Sequence, residues 1–512
     1  MITSKSGELH WFVRYGISLV YLLLTLLYVL TLSPTSGGYL LVFAAVVGGY
    51  MAMNIGANDV ANNVGPAVGS KALTLGGAIL LAAIFEAAGA LIAGGEVVGT
   101  IKSGIIDPQE ISDTQTFVWL MTASLLAGAI WLNFATVIGA PVSTTHSIVG
   151  AVLGAGVAAG GMGIANWGNL GTIASSWVIS PVMGGVIAAS LLMLIKKTIL
   201  YRDDVMQSAR VYVPWLVAFM AWAFTTYLVL KGISNIWKTG PLTAALIGLG
   251  VAAAVYEITR RSVNRATQVM ENTRERVNDL FTIPLVFAAA LLSFAHGAND
   301  VANAIGPLAA IADALVTGSV SEKASIPIWV MAIGALGLSI GLAAFGPRLI
   351  RTVGSEITEL DKSRAYCIAM SAAITVIIAS QLGLPVSSTH IALGGIFGVG
   401  FLREYLKTRY ASKLHRILER HEAEDQDQLR TYLRNFQTAD VEEMRAMLKR
   451  AKKFPEEVPL TKKDRKRLKK IYKQELVKRK HLYRIAAAWV ITVPASAVLG
   501  ALMFFMLRGM LI

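Results

Sequence analysis

Gly56-Ala57-Asn58-Asp59-Val60-Ala61-Asn62 recurs letter for letter as Gly297-Ala298-Asn299-Asp300-Val301-Ala302-Asn303. Each copy continues to a Gly-Pro pair, Gly65-Pro66 and Gly306-Pro307. A second pair of motifs follows: Pro141-Val142-Ser143-Thr144-Thr145-His146 and Pro385-Val386-Ser387-Ser388-Thr389-His390. The first pair is offset by 241 residues and the second by 244, so the chain carries an internal duplication.

Outward from these motifs the chain is apolar. Of 512 residues, 54% are hydrophobic and 15% charged, against about 25% charged in a soluble domain. Tyr15–Leu32, Leu73–Ala93, Phe117–Ile138, Ile173–Ile195, Trp329–Phe345 and Ile485–Leu507 are nearly free of charge. Each approaches the roughly 20 residues that cross a bilayer core as a helix. Open strand edges cannot sit in lipid, so the predicted fold is an all-α polytopic membrane protein of about 11–13 segments, some broken or re-entrant. The only cysteine, Cys367, excludes an intrachain disulfide. Leu32-Ser33-Pro34 is a poor cleavage site, so 11–32 reads as a retained helix.

The formal charge of +14 is concentrated. Residues 403–484 hold 25 Lys and Arg against 13 Asp and Glu. Cytoplasmic loops are enriched in Lys and Arg, so this segment reads as cytoplasmic, in contact with lipid or regulatory partners, and not as a nucleic-acid interface. It has helical, amphipathic stretches and a break expected at Phe454–Pro459. Gly160–Leu170 is uncharged, whereas Lys196–Arg210 and Arg260–Arg276 are basic and flank two short spans, Val211–Leu230 and Pro241–Val255. Copy one then begins and ends outside, and copy two inside. That is an inverted repeat, an architecture of secondary transporters. The expected division is an N-terminal helix in 1–39, repeat one in 40–160, connecting helices in 161–280, repeat two in 281–402, the basic segment 403–484 and a last helix in 485–512. The N-terminus is expected inside and the C-terminus outside, in the plasma membrane.

A charged group at a membrane-helix centre costs roughly 2.5–3.5 kcal/mol on insertion scales, so Asp59 and Asp300 are not there for packing. With Asn58, Asn62, Asn299 and Asn303 they place carboxylate and amide oxygens on one helix face, suited to a hard cation such as sodium. The Gly-Pro pair is expected to end each helix and free backbone carbonyls. The second motif supplies the opposite chemistry. Its proline starts a helix whose first N–H groups attract anions, and Ser143, Thr144, Thr145, Ser387, Ser388 and Thr389 add hydroxyl donors. Two such ends meeting would enclose a tetrahedral oxyanion, with its charge balanced by accompanying cations. The bland alternatives are interhelical hydrogen bonds for the asparagines, buried protonated structural acids for the aspartates, and simple caps or bonds to neighbouring helices for the hydroxyls. His146 and His390 read as orienting donors, Glu86 as either a coupling residue or a structural acid, and His296 and Lys71 as structural. Ser143, Thr144 and His146 resemble a hydrolase set, but no acid stands near to orient the base, and a duplicated set suits transport better than catalysis.

These motifs resemble the inorganic phosphate transporter family over about residues 40–402 and the final helix. Val68–Leu75 and Phe85-Glu86 look like its sodium-coupled branch. The resemblance implies phosphate held by the Ser/Thr motifs, sodium ions beside it at the Asn/Asp motifs, alternating access of the two repeats, a homodimer and no cofactor. The competing readings are proton symport of phosphate or a metal–phosphate complex, a sulfate permease of the same fold, and a passive anion channel. Sulfate has no proton to donate to Asp59 and Asp300, which favours phosphate.

Overall fold

The computed structural model describes residues 11–408, apart from 33–37, 96, 112, 233–236, 238, 320–325 and 357–359. Beyond these it describes 431–436, 441–453, 464, 468 and 479–510. The break expected at Phe454–Pro459 and most of the basic segment lie outside the described residues.

The elements named here are helices: α1 (Trp11–Leu32), α2 (Gly38–Gly69), α3 (Leu75–Ala93), α4 (Val98–Ser103), α5 (Thr114–Ile138), α6 (Thr144–Gly160), α7 (Trp167–Ile195), α8 (Val205–Tyr227), α9 (Pro241–Thr267), α10 (Arg274–Leu280), α11 (Thr282–Asp300), α12 (Ala302–Thr317), α13 (Ile328–Phe345), α14 (Pro347–Glu356), α15 (Lys362–Gln381), α16 (Ser388–Thr408), α17 (Val441–Lys453) and α18 (Arg479–Gly509). Among the described residues, 11 are long and apolar enough to cross a membrane. The chain divides into two compact units, residues 1–398 with 480–512, and residues 399–479. The second unit contains α17, which carries three acidic or basic residues in its first five positions.

Burial sorts the helices of the first unit by role. The most apolar windows of α2 and of α11 with α12 are 83% and 89% buried, against 17% for α9 and 28% for α3, α7 and α18. The duplicated heptapeptides therefore lie on the innermost helices, and the outer helices present Leu, Val and Phe outward. Polar caps start the inner and connecting helices: Thr74 accepts from Gly77 N–H, Asp113 from Thr116 and Asp361 from Arg364.

Helix contacts repeat the duplication. A Cβ on Gly56 would overlap the Leu338 carbonyl of α13, and one on Gly297 would overlap the Glu86 carbonyl of α3. Conversely, Gly341 of α13 abuts the Met53 carbonyl and Gly89 of α3 abuts that of Phe294. Small residues let membrane helices approach this closely. The helix after each second motif packs onto the helix that follows the other copy. Gly394 and Gly398 of α16 lie on Pro181 and Gly185 of α7, while Gly150 and Gly154 of α6 lie on Val493 and Ala497 of α18. The final helix, expected as a separate element, is thus the counterpart of α7, and the copies interlock.

One expectation is corrected. Neither Gly-Pro pair ends its helix: α2 runs through Pro66 to Gly69, and α12 runs through Pro307. Proline has no N–H, so the carbonyls of Asn62 and Asn303, four residues earlier, lose their intrahelical donor all the same. In copy two α11 and α12 meet at Val301, whose backbone stays right-handed helical (φ −57°, ψ −32°), so the two form one span, Thr282–Thr317.

Candidate functional site

Both second motifs act as helix starts. Ser143 caps α6, its Oγ accepting from His146 N–H at 3.1 Å, and Ser387 Oγ accepts from His390 N–H at 3.2 Å. The N-terminal turns of α6 and α16 meet: Thr145 Oγ1 donates to the Val386 carbonyl at 2.9 Å, and Thr389 Oγ1 lies 3.3 Å from the Val142 carbonyl. Two positive dipole ends therefore converge on one point. The rings of His146 and His390 sit 4.4 Å apart, edge to face, with Trp177 against His146 at 3.8 Å.

The duplicated heptapeptides close around that point. Within each copy a carboxylate holds a motif hydroxyl: Thr144 Oγ1 donates to Asp59 Oδ2 at 2.8 Å, and Ser388 Oγ to Asp300 Oδ2 at 2.9 Å. Between copies an asparagine reaches a threonine. Asn62 Nδ2 donates to Thr389 Oγ1 at 2.8 Å and Asn303 Nδ2 to Thr145 Oγ1 at 3.2 Å. Thr389 Oγ1 also donates to Asp59 Oδ1 at 2.9 Å. All twelve motif residues expected at the site are brought together and buried.

Their roles divide. Asn58 Nδ2 donates to Thr136 Oγ1 and the Ala140 carbonyl at 3.1 and 3.2 Å, and its Oδ1 accepts from Val142 N–H at 3.1 Å. Asn299 Nδ2 likewise donates to Ser380 Oγ at 2.9 Å and faces the Leu384 carbonyl at 3.5 Å. These two asparagines tether the loops that precede α6 and α16. By contrast Asn62 Oδ1, Asn303 Oδ1 and Asp300 Oδ1 are buried acceptors without a hydrogen-bond donor. An unmatched buried oxygen costs about 1–3 kcal/mol, and a cation would satisfy it.

His296, read from the sequence as structural, lies inside the carboxylate cluster. It is fully buried, with Nε2 3.0 Å from Asp300 Oδ2 and 3.7 Å from Asp59 Oδ2, and Nδ1 3.2 Å from Glu86 Oε1. Ligand atoms of Asp59, His296 and Asp300 all lie within 4.8 Å of one another. Glu86 Oε1 also accepts from Asn63 Nδ2 at 2.6 Å. Asn63 was not singled out in the sequence. The available signal was spacing: His296 stands four residues before Asp300, on the same helix face. Lys71 lies in a turn just past the end of α2, with φ of 61°.

A many-span helical membrane protein, with buried carboxylates and amides facing two helix starts near its centre, is a transporter and not an enzyme. The chain belongs to the phosphate transporter family, whose profile matches residues 55–500. It is 54% identical over 479 residues to a protein of Helicobacter pylori strain J99 described as "Putative phosphate permease", covering 92% of this chain and 90% of that one. A Chlamydia trachomatis protein of the same description is 40% identical over 387 residues, covering 71% and 90%. Among solved structures, "The sodium-dependent phosphate transporter" superposes with a TM-score of 0.75 at 29% identity, over 92% of this chain and 99% of that one.

Proposed function

We propose that the chain carries inorganic phosphate together with a cation, sodium favoured, by alternating access of two inverted repeats. The observation that carries this reading is the self-occupied state of the hydroxyl cluster. Thr144, Ser388 and Thr389, the groups suited to hold an oxyanion, donate instead to Asp59 and Asp300. A phosphate arriving alone would have to displace two buried carboxylates while lying beside their charge. Cations bound at the carboxylates and at the unmatched Asn62, Asn303 and Asp300 oxygens would neutralise that charge and release the hydroxyls. Ser143 and Ser387 keep the helix starts in shape, and His146 and His390 line their first turns. The solved relative is described as sodium-dependent, which supports the choice of ion.

Chain parity supports the orientation. Starting with the N-terminus inside, the spanning helices leave 160–167 outside, 196–205 inside and the basic 403–484 inside. The count also holds if α6 and α16 begin part-way through the membrane, as their short preceding loops and buried caps allow. α18 then ends outside, and the plasma membrane is the compartment this reading assigns. A homodimer in the bilayer is the assembly carried over from the family resemblance.

Proton coupling is a second reading, and His296 favours it: an imidazole set between Asp300, Asp59 and Glu86 can take a proton where a metal cation would otherwise sit. The deciding experiment is radiolabelled phosphate uptake into proteoliposomes under an inward sodium gradient, an equal potassium gradient and an imposed pH gradient. Concentrative uptake with sodium alone supports sodium symport. Uptake that follows pH and ignores sodium transfers the coupling to protons. No phosphate uptake, with sulfate accumulated instead, overturns the phosphate assignment.

A further inference from the structure

Away from the motifs, a cavity of about 740 Å³ opens between α8, α9 and α11, within the roughly 300–1,000 Å³ range of small-molecule sites. Its lining on α9 recurs on one helix face from Val251 to Ala266, about 22 Å at 1.5 Å per residue. That exceeds half of a hydrocarbon core about 30 Å thick. Its deep end is apolar, closed by Phe85, Phe224 and Leu291. The lips are apolar as well and open outward: Ile258 is 68% exposed, Ile283 61% and Phe287 58%.

Charge gathers at the other end only. Asp279 lines the cavity there and is matched by Lys362 at 2.8 Å and Arg276 at 3.7 Å. Arg210 donates to Thr267 Oγ1 at 2.7 Å, one residue beyond the lining Ala266. With their chain neighbours Arg274, Glu275, Asp361 and Arg364 counted, five cations stand against three carboxylates, which leaves this rim positive. Water gains little in an apolar slot, whereas the neighbouring hydrocarbon restores the dispersion contacts a void forfeits. Basic pockets between membrane helices suit anionic headgroups.

We propose that this crevice binds one phospholipid with a net negative headgroup. One acyl chain lies along α9 towards Phe224, and the headgroup phosphate rests at Arg210, Arg276 and Lys362. A second copy of the chain fits less well, because a helix about 10 Å wide with side chains and about 22 Å long takes up roughly 1,700 Å³, more than the cavity holds.

Native mass spectrometry of the full-length protein, with phosphatidylglycerol or phosphatidylcholine added, tests this. One phosphatidylglycerol is expected to remain bound per chain, with phosphatidylcholine held at least tenfold more weakly. Val255→Trp, which fills the slot, should remove the bound lipid, whereas Leu336→Trp on the outward face of α13 should keep it. Equal retention of both lipids, retention by Val255→Trp, or loss of a dimer mass in place of a lipid would overturn the proposal. If Val255→Trp fails to fold, a diazirine-acyl phosphatidylglycerol applied to the unmodified protein decides. Adducts on peptides spanning 251–291 support the site, and adducts confined to other helices refute it.

Discussion

Asp59→Asn should detach phosphate binding from its dependence on sodium. In the structure Asp59 accepts from Thr144 at 2.8 Å and from Thr389 at 2.9 Å, both fully inside the protein. Hydrogen bonds to charged groups contribute about 1.5–3 kcal/mol each, so freeing both hydroxyls costs about 3–6 kcal/mol. At 1.4 kcal/mol per tenfold, phosphate affinity should fall about 10²–10⁴-fold when choline replaces sodium. The amide keeps the shape of the carboxylate but removes the charge that the cation is proposed to match. Equilibrium binding of radiolabelled phosphate to the purified variant should therefore differ by less than about tenfold between the two salts, while concentrative uptake is lost. A variant that retains the full sodium dependence, or a wild-type protein that binds phosphate equally in choline, would refute the reasoning.

Further outcomes follow from the same geometry. Asn58→Ala removes three hydrogen bonds, one to the last turn of α5 and two to the loop before α6, about 3 kcal/mol at roughly 1 kcal/mol each. Thermal unfolding in detergent should show a larger loss than for Asn299→Ala, which removes two, one of them long. Gly297→Val should prevent α3 and α11 from meeting at the Glu86 carbonyl and destabilise the protein by more than the usual overpacking range of about 1–3 kcal/mol. Gly76→Val, where nothing lies within 4 Å, should leave unfolding unchanged. Lys102→Met strands Asp313, its partner at 3.0 Å, with an expected loss near 3–5 kcal/mol; the paired change Lys102→Met with Asp313→Leu should recover much of it in the same melt.

How far the sequence could be read follows from what repeats. Asp59 with Asp300, Asn62 with Asn303, and the two Ser/Thr runs stand out because duplication places equal letters at equal offsets, and all of them converge. Spans such as Trp11–Leu32 and Ile328–Phe345 were legible as apolar runs, with ends within a few residues of those found. Contacts between copies were not legible. Pairings such as Thr145 with Val386, or Gly154 with Ala497, join residues hundreds of positions apart, and no local pattern encodes them. The Gly-Pro pairs misled because proline inside a buried membrane helix is tolerated when neighbours support the backbone, so Pro66 and Pro307 interrupt the hydrogen-bond ladder without ending the helix.

The differences between the copies carry the next argument. At the position of His296, copy one has Ile55; at that of Asn63, copy two has Ala304. Glu86 faces Gly297 where Leu338 faces Gly56. These three one-sided residues are not scattered: Asn63 donates to Glu86 at 2.6 Å, and His296 bridges Glu86 at 3.2 Å and Asp300 at 3.0 Å. A tetrahedral oxyanion between two matching helix starts needs the shared residues and gains nothing from a one-sided trio. The trio is suited to a step that the copies do not share, and an imidazole among carboxylates suits the movement of a proton. His296→Gln keeps a hydrogen-bonding side chain and cannot carry the charge. It should bind phosphate in sodium within about threefold of the unaltered protein, since the Thr144–Asp59 and Ser388–Asp300 hydrogen bonds at the helix starts do not use the imidazole. Any uptake driven by an inward pH gradient without sodium should vanish. Persistence of that uptake would remove His296 from proton handling, and loss of sodium-dependent binding instead would make the imidazole part of the cation site itself.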